Sequence, residues 1–153
     1  MPTPGRPRPS STEPNCIFCS IARGNAPAAW VAKRERAVAF LTLGPLRPGH
    51  TLVIPRAHAV TVLDVSPEDW RAVTDLALEV ARLQRERLGA AGHSLLLASG
   101  HAGEQSVLHL HLHVVPRHEG DGVDLNSWWE GKVRPAAPPE LESVARQLRG
   151  ESG

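Results

Sequence analysis

The sequence predicts an α+β fold with a mainly antiparallel sheet, one long helix and a short N-terminal helix. Short apolar segments rich in β-branched residues, bounded by proline, glycine or charged turns, are typical of strands. One long stretch of helical periodicity lies between the third and fourth of these segments. Because the elements run hairpin, strand, helix, hairpin, and do not alternate strand with helix, an antiparallel sheet is expected.

The predicted strands begin after a short cysteine-containing segment, residues 16–22, that leads into a helical turn. A charged turn at residues 34–36 separates the first two strands, as in a hairpin. Pro55 ends the third strand and Pro116 ends the last. The five predicted strands cover residues 29–33, 37–41, 50–54, 94–98 and 107–115.

The long helix has a clear start and a clear end in the sequence. Ser66 is a typical N-cap, Pro67 suits the first helical position, and Asp69 stands three residues after the cap. Apolar residues then recur at helical spacing until Gly89, where the helix is expected to end.

The chain has 153 residues, which suits one compact domain. We expect a flexible tail at residues 1–14, the domain at residues 15–118, and a C-terminal extension at residues 119–153. The extension contains the apolar pair Trp128 and Trp129, which is typical of a contact surface, and a short amphipathic helix at residues 141–148.

Composition excludes several classes of function. The formal net charge of +1 gives no overall attraction to DNA, RNA or an anionic membrane, so any anion must be captured locally. No apolar run approaches the ~20 residues of a membrane span, and the N-terminus lacks the apolar stretch of a secretory signal. We therefore expect a cytoplasmic protein. In a reduced compartment the Cys-x-x-Cys pair, Cys16 and Cys19, favours metal binding or redox chemistry over a structural disulfide.

The most informative segment is the last predicted strand. Side chains alternate along a strand, so His109, His111 and His113 share one face, roughly 6–7 Å apart in succession. A solvated strand face usually carries lysine, glutamate and threonine, so three histidines favour a chemical role. His-x-His also holds catalytic metals in hydrolase barrels, but those need about 250 residues. Phosphorus chemistry is the remaining interpretation, because one imidazole can attack phosphorus while its neighbour holds a phosphate oxygen.

This segment resembles the signature of the histidine triad (HIT) family, His-φ-His-φ-His-φ-φ with φ apolar, at residues 109–115. Residues 16–19, 39–41, 48–58 and 103–106 also match the family in order and spacing. The resemblance is to the bacterial zinc-binding, Hint-like branch, covers residues 15–118, and implies the HIT-like fold with a five-stranded sheet.

The resemblance implies a mechanism. The middle histidine, His111, would attack the α-phosphorus of a nucleotide and become nucleotidylated, which requires its other ring nitrogen to donate to an acceptor such as a carbonyl. His113 would hold a phosphate oxygen. Gln105 and Ser106 would lie beside the phosphate and the leaving group, which Ser106 or a bound water would protonate.

The resemblance also implies a structural zinc ion held by Cys16, Cys19, His50 and His109. Two thiolates and two neutral imidazoles complete a tetrahedral site without an open position. The alternative is that the cysteines are small buried residues near the sheet edge. A redox role is disfavoured because the thioredoxin-like βαβ setting is missing.

Two departures from the family concern the substrate. Where many members hold the ribose hydroxyls with an acidic residue or asparagine, this chain has Leu41 and Thr42. Ala98 and Ser99 stand where many phosphoramidases carry asparagine. We therefore expect Leu41 and Thr42 to contribute to the substrate site in another way.

The leading prediction is a homodimeric nucleotide hydrolase or transferase acting on a nucleoside phosphoramidate or related nucleotide. The closest alternative is a dinucleoside polyphosphate hydrolase or phosphorylase, which shares the attack but breaks a phosphoanhydride. A third is a zinc-stabilised nucleotide-binding module with little turnover.

Overall fold

The structure is a computed structural model that describes residues 15–126, 136–139, 142, 143, 149 and 151. The five strands form one antiparallel sheet in the order β1-β2-β3-β5-β4, which confirms the predicted fold class. The elements in chain order are α1 (Ile17–Ala22), β1 (Trp30–Lys33), β2 (Ala37–Leu41), β3 (Thr51–Pro55), α2 (Pro67–Leu88), β4 (Gly92–Leu96), a 3-10 turn (His101–Gly103) and β5 (Leu112–Arg117).

The long helix α2 starts and ends as predicted. The hydroxyl of Ser66 accepts a hydrogen bond from the backbone N–H of Asp69 at 3.1 Å, and Pro67 occupies the first helical position. Gly89 ends the helix in the left-handed conformation, with φ of 66°.

The sheet has an apolar core on each face, because side chains alternate along the strands. On one face, Ala39, Val53 and Val114 pack with the buried side of α2. On the other face, Phe40 and Leu52 pack with α1. His113 lies opposite Leu52 across the β3–β5 ladder and therefore on the α1 face.

The predicted bounds of the last two strands are wrong. β5 begins at Leu112, not at residue 107, because the ladder with β3 stops there and the carbonyl of Pro55 accepts from the His109 side chain. The segment before β5 is held by a loop, through the N–H of Leu110 and the carbonyl of Ala59. β4 covers residues 92–96 and not 94–98. It begins earlier because β5 continues to Arg117, which pairs with Gly92.

The chain divides into two units, residues 1–121 and residues 122–153. In the second unit the guanidinium of Arg149 contacts the carboxylates of Glu142 and Glu151. Trp128, Trp129 and most of the helix predicted at residues 141–148 lie outside the described residues. None of the helices in the described ranges has the length and apolar character required to cross a membrane.

Candidate active site and metal centre

His111 lies at the centre of the histidine segment, with its ring buried on the α1 face. Its ring centroid is 5.3 Å from that of Phe18 and 5.1 Å from that of His113. Nδ1 of His111 lies 2.8 Å from the carbonyl oxygen of His109. A carbonyl oxygen can only accept, so Nδ1 carries the proton and Nε2 of the neutral ring keeps its lone pair. The expected carbonyl acceptor is therefore present.

Hydrogen bonds from neighbouring residues determine which ring nitrogen of His113 carries the proton. The backbone N–H of Leu46 donates to Nδ1 of His50 at 3.0 Å, so the neutral His50 ring carries its proton on Nε2. That Nε2 lies 2.9 Å from Nδ1 of His113 and donates to it. Nδ1 of His113 is thus the acceptor, and its Nε2–H is a hydrogen-bond donor.

Burial favours the neutral form of both rings in this pair. Desolvation lowers the pKa of His113 from 6.5 to about 4, with smaller contributions from His111 and His50. Desolvation also lowers the pKa of His50. A neutral imidazole has one donor and one acceptor nitrogen, so one ring of the pair can donate to the other.

A second cluster brings together four metal-ligating side chains, Cys16, Cys19, His58 and His109, whose ligand atoms all lie within 4.8 Å of one another. Nδ1 of His109 is 3.4 Å from Sγ of Cys16 and 3.5 Å from Sγ of Cys19. Nδ1 of His58 is 3.3 Å from Sγ of Cys19. A tetrahedral zinc ion with two sulfur and two nitrogen ligands places them about 3.3–3.8 Å apart, so the donor set and its spacing fit this ion.

The ligand ring of His109 is held from its far side. Its Nε2 donates to the carbonyl oxygen of Pro55 at 2.9 Å, which leaves Nδ1 to face the two thiols. Desolvation lowers the pKa of His109 to about 4, so the ring is neutral, as a metal ligand must be.

The prediction that His50 belongs to this metal site is wrong. His50 and His58 lie at opposite ends of β3, and both ring nitrogens of His50 are engaged by Leu46 and His113. The pairing of Leu52 with His113 runs antiparallel, so the chain before His113 leads back toward the Pro55 end of β3, where His58 follows. The antiparallel pairing of β3 with β5 is therefore the observation that identifies His58 as a ligand. The other three predicted ligands lie in the cluster.

Gln105 holds a loop. Its Oε1 accepts from the N–H of Gly100 at 2.8 Å, and its Nε2 donates to the carbonyls of Val60 and Val107 at 2.6 and 2.9 Å. Both amide hydrogens are therefore in use. Gln105 has no further amide hydrogen to donate to a phosphate oxygen, and its place beside the phosphate stays a prediction.

The other predicted site residues are Ser106, expected to act on the leaving group, and Leu41 and Thr42, expected to bind the substrate. Ser106 and Leu41 are exposed and Thr42 is half-buried. The N–H of Thr42 donates to the carbonyl of His50 at 3.2 Å, so Leu41 and Thr42 lie at the end of the sheet that carries the His50–His113 pair.

Comparison with known proteins agrees with this geometry. A family model described as the HIT domain matches residues 23–120. The chain belongs to the HIT family. Among curated HIT proteins, an uncharacterized 16.1 kDa HIT-like protein of Mycoplasma pneumoniae is 44% identical over 105 residues, which cover 69% of this chain and 73% of that protein. An adenosine 5'-monophosphoramidase of Schizosaccharomyces pombe is 28% identical and covers 88% of this chain and 96% of its own length.

A solved HIT structure is also similar. The zinc-bound histidine triad family protein from Mycobacterium smegmatis is 35% identical, with a TM-score of 0.70, and the match covers 89% of this chain and 96% of that one. The fold of this chain is thus the fold of solved HIT proteins.

Proposed function

We propose that this HIT protein is a nucleotide hydrolase or transferase that cleaves a phosphorus bond at the α-phosphate of a nucleoside phosphoramidate or related nucleotide. The observation that carries the proposal is the contact from Nδ1 of His111 to the carbonyl of His109, which leaves Nε2 of a buried imidazole as a nucleophile. The named activity of the Schizosaccharomyces pombe relative is of the same class.

In the first step Nε2 of His111 attacks the α-phosphorus. The Nε2–P bond forms and the P–N bond to the leaving amine breaks, and the amine leaves with the electron pair and takes up a proton. Ser106 or a bound water supplies that proton. The Nε2–H of His113 donates to a non-bridging oxygen as negative charge develops on it.

In the second step water attacks the phosphorus of the adduct. The water passes a proton back to the group that protonated the amine, so Ser106 or the bound water returns to its starting state. The Nε2–P bond breaks, the electron pair returns to His111, and the nucleoside monophosphate leaves. Transfer to another acceptor follows the same course with a different nucleophile. Leu41 and Thr42 contact the nucleoside, because they lie beside His50 at the same end of the sheet.

Zinc is the ion we propose for the cluster of Cys16, Cys19, His58 and His109. Two thiolates balance its charge and four protein ligands leave no open position, so it supplies structure and no reaction step. Because His109 would be a ligand, it does not act as the general acid. The same residue presents its carbonyl to His111, so metal binding fixes the backbone that sets the tautomer of the nucleophile.

We further propose that the protein is a cytoplasmic homodimer. β4 is an edge strand of the described sheet, and Leu95 and Leu96 on it are 54% and 52% exposed. Leu78 and Leu88 on α2 are 51% and 47% exposed. Pairing of two copies through β4 and α2 would bury these leucines. Leu95→Lys is expected to yield monomers in sedimentation experiments. A monomer mass for the wild type would contradict the dimer, and a dimer mass for Leu95→Lys would contradict this interface.

Turnover of two substrates tests the reaction class. We expect release of adenosine monophosphate from adenosine 5'-phosphoramidate to be faster than cleavage of diadenosine tetraphosphate. His111→Ala is expected to abolish both while the zinc content and the circular dichroism spectrum stay unchanged. Faster cleavage of the dinucleotide would favour the polyphosphate alternative. No turnover of either by the wild type would favour a binding module.

A further inference from the structure

We propose that Gln84, on the long helix, is a positioning residue that holds the backbones of His50 and His113 in register and thereby maintains the tautomer of His113. Only the expected effect of Gln84 on turnover rests on the proposed function. The positioning itself is a property of the folded chain.

Gln84 joins three elements with a single side-chain amide. It is buried on α2, and its Nε2 donates at 3.0 Å to the carbonyl of Gly49 and at 3.0 Å to the carbonyl of Val114. Gly49 directly precedes His50, and Val114 directly follows His113. The two hydrogens of one amide therefore anchor the two backbone segments whose histidines contact each other.

The orientation of this amide follows from chemistry. Both neighbours are carbonyl oxygens, so only the NH₂ group can face them. Oε1 is buried, and within the described part of the chain it has no hydrogen-bond partner. An unpaired buried oxygen costs free energy, whereas the two hydrogen bonds that the NH₂ group donates satisfy two backbone carbonyls. The amide at this place in the core therefore acts through the two backbone segments that it connects.

Gln84 extends the connection between the two segments beyond the β3–β5 ladder, which already pairs Leu52 with His113. The hydroxyl of Thr51 also donates to the carbonyl of Gly49, at 2.8 Å. The β3–β5 ladder begins at the pair Thr51–Val114, so Gly49 lies before it. Gly49 has a φ of +93°, and a Cβ there would collide with the side chain of Leu88. The end of α2 thus lies close to the segment that leads into His50, and Gln84 connects that segment to β5 through its two hydrogen bonds.

Loss of this tie changes the hydrogen bond between the two rings. The donor distance from Nε2 of His50 to Nδ1 of His113 is 2.9 Å, and a shift of about 1 Å is enough to break such a bond. His113 would then be free to move its proton to Nδ1. Its Nε2 would lose the hydrogen that is proposed to hold the phosphate oxygen.

The test uses the full-length protein with Gln84→Leu and Gln84→Met, which remove both donors at similar volume. Val80→Ala, one turn earlier on the same buried side of α2, is the matched control for loss of stability. Two-bond ¹H–¹⁵N spectra of the imidazoles report which ring nitrogen carries the proton. Kinetics on adenosine 5'-phosphoramidate report the consequence.

We expect wild type and Val80→Ala to show His113 protonated on Nε2, and both Gln84 variants to show a mixture of tautomers. In those variants kcat is expected to fall about tenfold or more, with a smaller change in KM. Wild-type imidazole spectra in both Gln84 variants would overturn the proposal, and so would an equal change in Val80→Ala. If the wild type turns over no nucleotide, the proposed function fails, and the spectra still decide the role of Gln84.

Discussion

The ring of His109 connects the metal cluster to the sheet. Its Nδ1 faces the thiols of Cys16 and Cys19, while its Nε2 donates to the carbonyl of Pro55 at 2.9 Å. The backbone carbonyl of the same residue accepts from His111. One residue thus joins a buried metal site to the proposed nucleophile, and this link leads to predictions about both.

Metal content distinguishes the two histidines at the ends of β3. The full-length protein is expected to contain one zinc ion per chain. His58→Ala is expected to lower zinc affinity by about tenfold or more, because one of the four ligands is lost. His50→Ala is expected to keep the zinc, because the ring of His50 contacts Leu46 and His113 instead. Atomic absorption after dialysis against a chelator measures the difference, and loss of zinc from His50→Ala alone would contradict the assignment.

Acid is expected to weaken the fold through His113. Burial lowers its pKa from 6.5 to about 4, so between these values the unfolded chain binds more protons than the folded one. The free energy of unfolding therefore falls as the pH is lowered through this range. Urea unfolding compares the wild type with His113→Gln, and the advantage of the wild type should shrink from pH 6.5 to pH 4. His101→Gln, on the exposed 3-10 turn, is the control. A constant difference for His113→Gln would contradict the prediction.

The cap of α2 gives a prediction about stability alone. Ser66→Ala removes the acceptor for the N–H of Asp69 and is expected to cost about 1 kcal/mol of unfolding free energy. Ser66→Thr keeps the oxygen and should recover most of it. Activity at low temperature should be unchanged in both variants. A stability equal to wild type for Ser66→Ala would show that the cap does not contribute.

Local chemistry explains what could be predicted from the sequence. The cap at Ser66 and the stop at Gly89 are determined by residues close together in the chain. The tautomer of His111 is local as well, because its acceptor is two residues away. These features are confirmed because no distant contact competes with them.

Register across the sheet explains what could not be predicted. The fourth metal ligand is His58 and not His50 because the Pro55 end of β3 lies beside the start of the histidine segment. The apolar pattern of β3 is the same in both directions, so it does not indicate which end lies there. Gln84 gives no signal either. In the sequence it is one polar residue near the end of an amphipathic helix, and its two acceptors come from segments 35 and 30 residues away.

Mass spectrometry of the protein quenched during turnover tests the central claim most directly. Acid-labile phosphoramidate adducts survive in alkaline quench, so digestion at high pH and peptide sequencing can locate the nucleotidyl group. We predict an adenylyl group on His111, absent from His111→Ala and present in His113→Gln, in which the nucleophile is intact. An adduct on another residue, or steady turnover by His111→Ala, would contradict the assignment of His111 as the nucleophile.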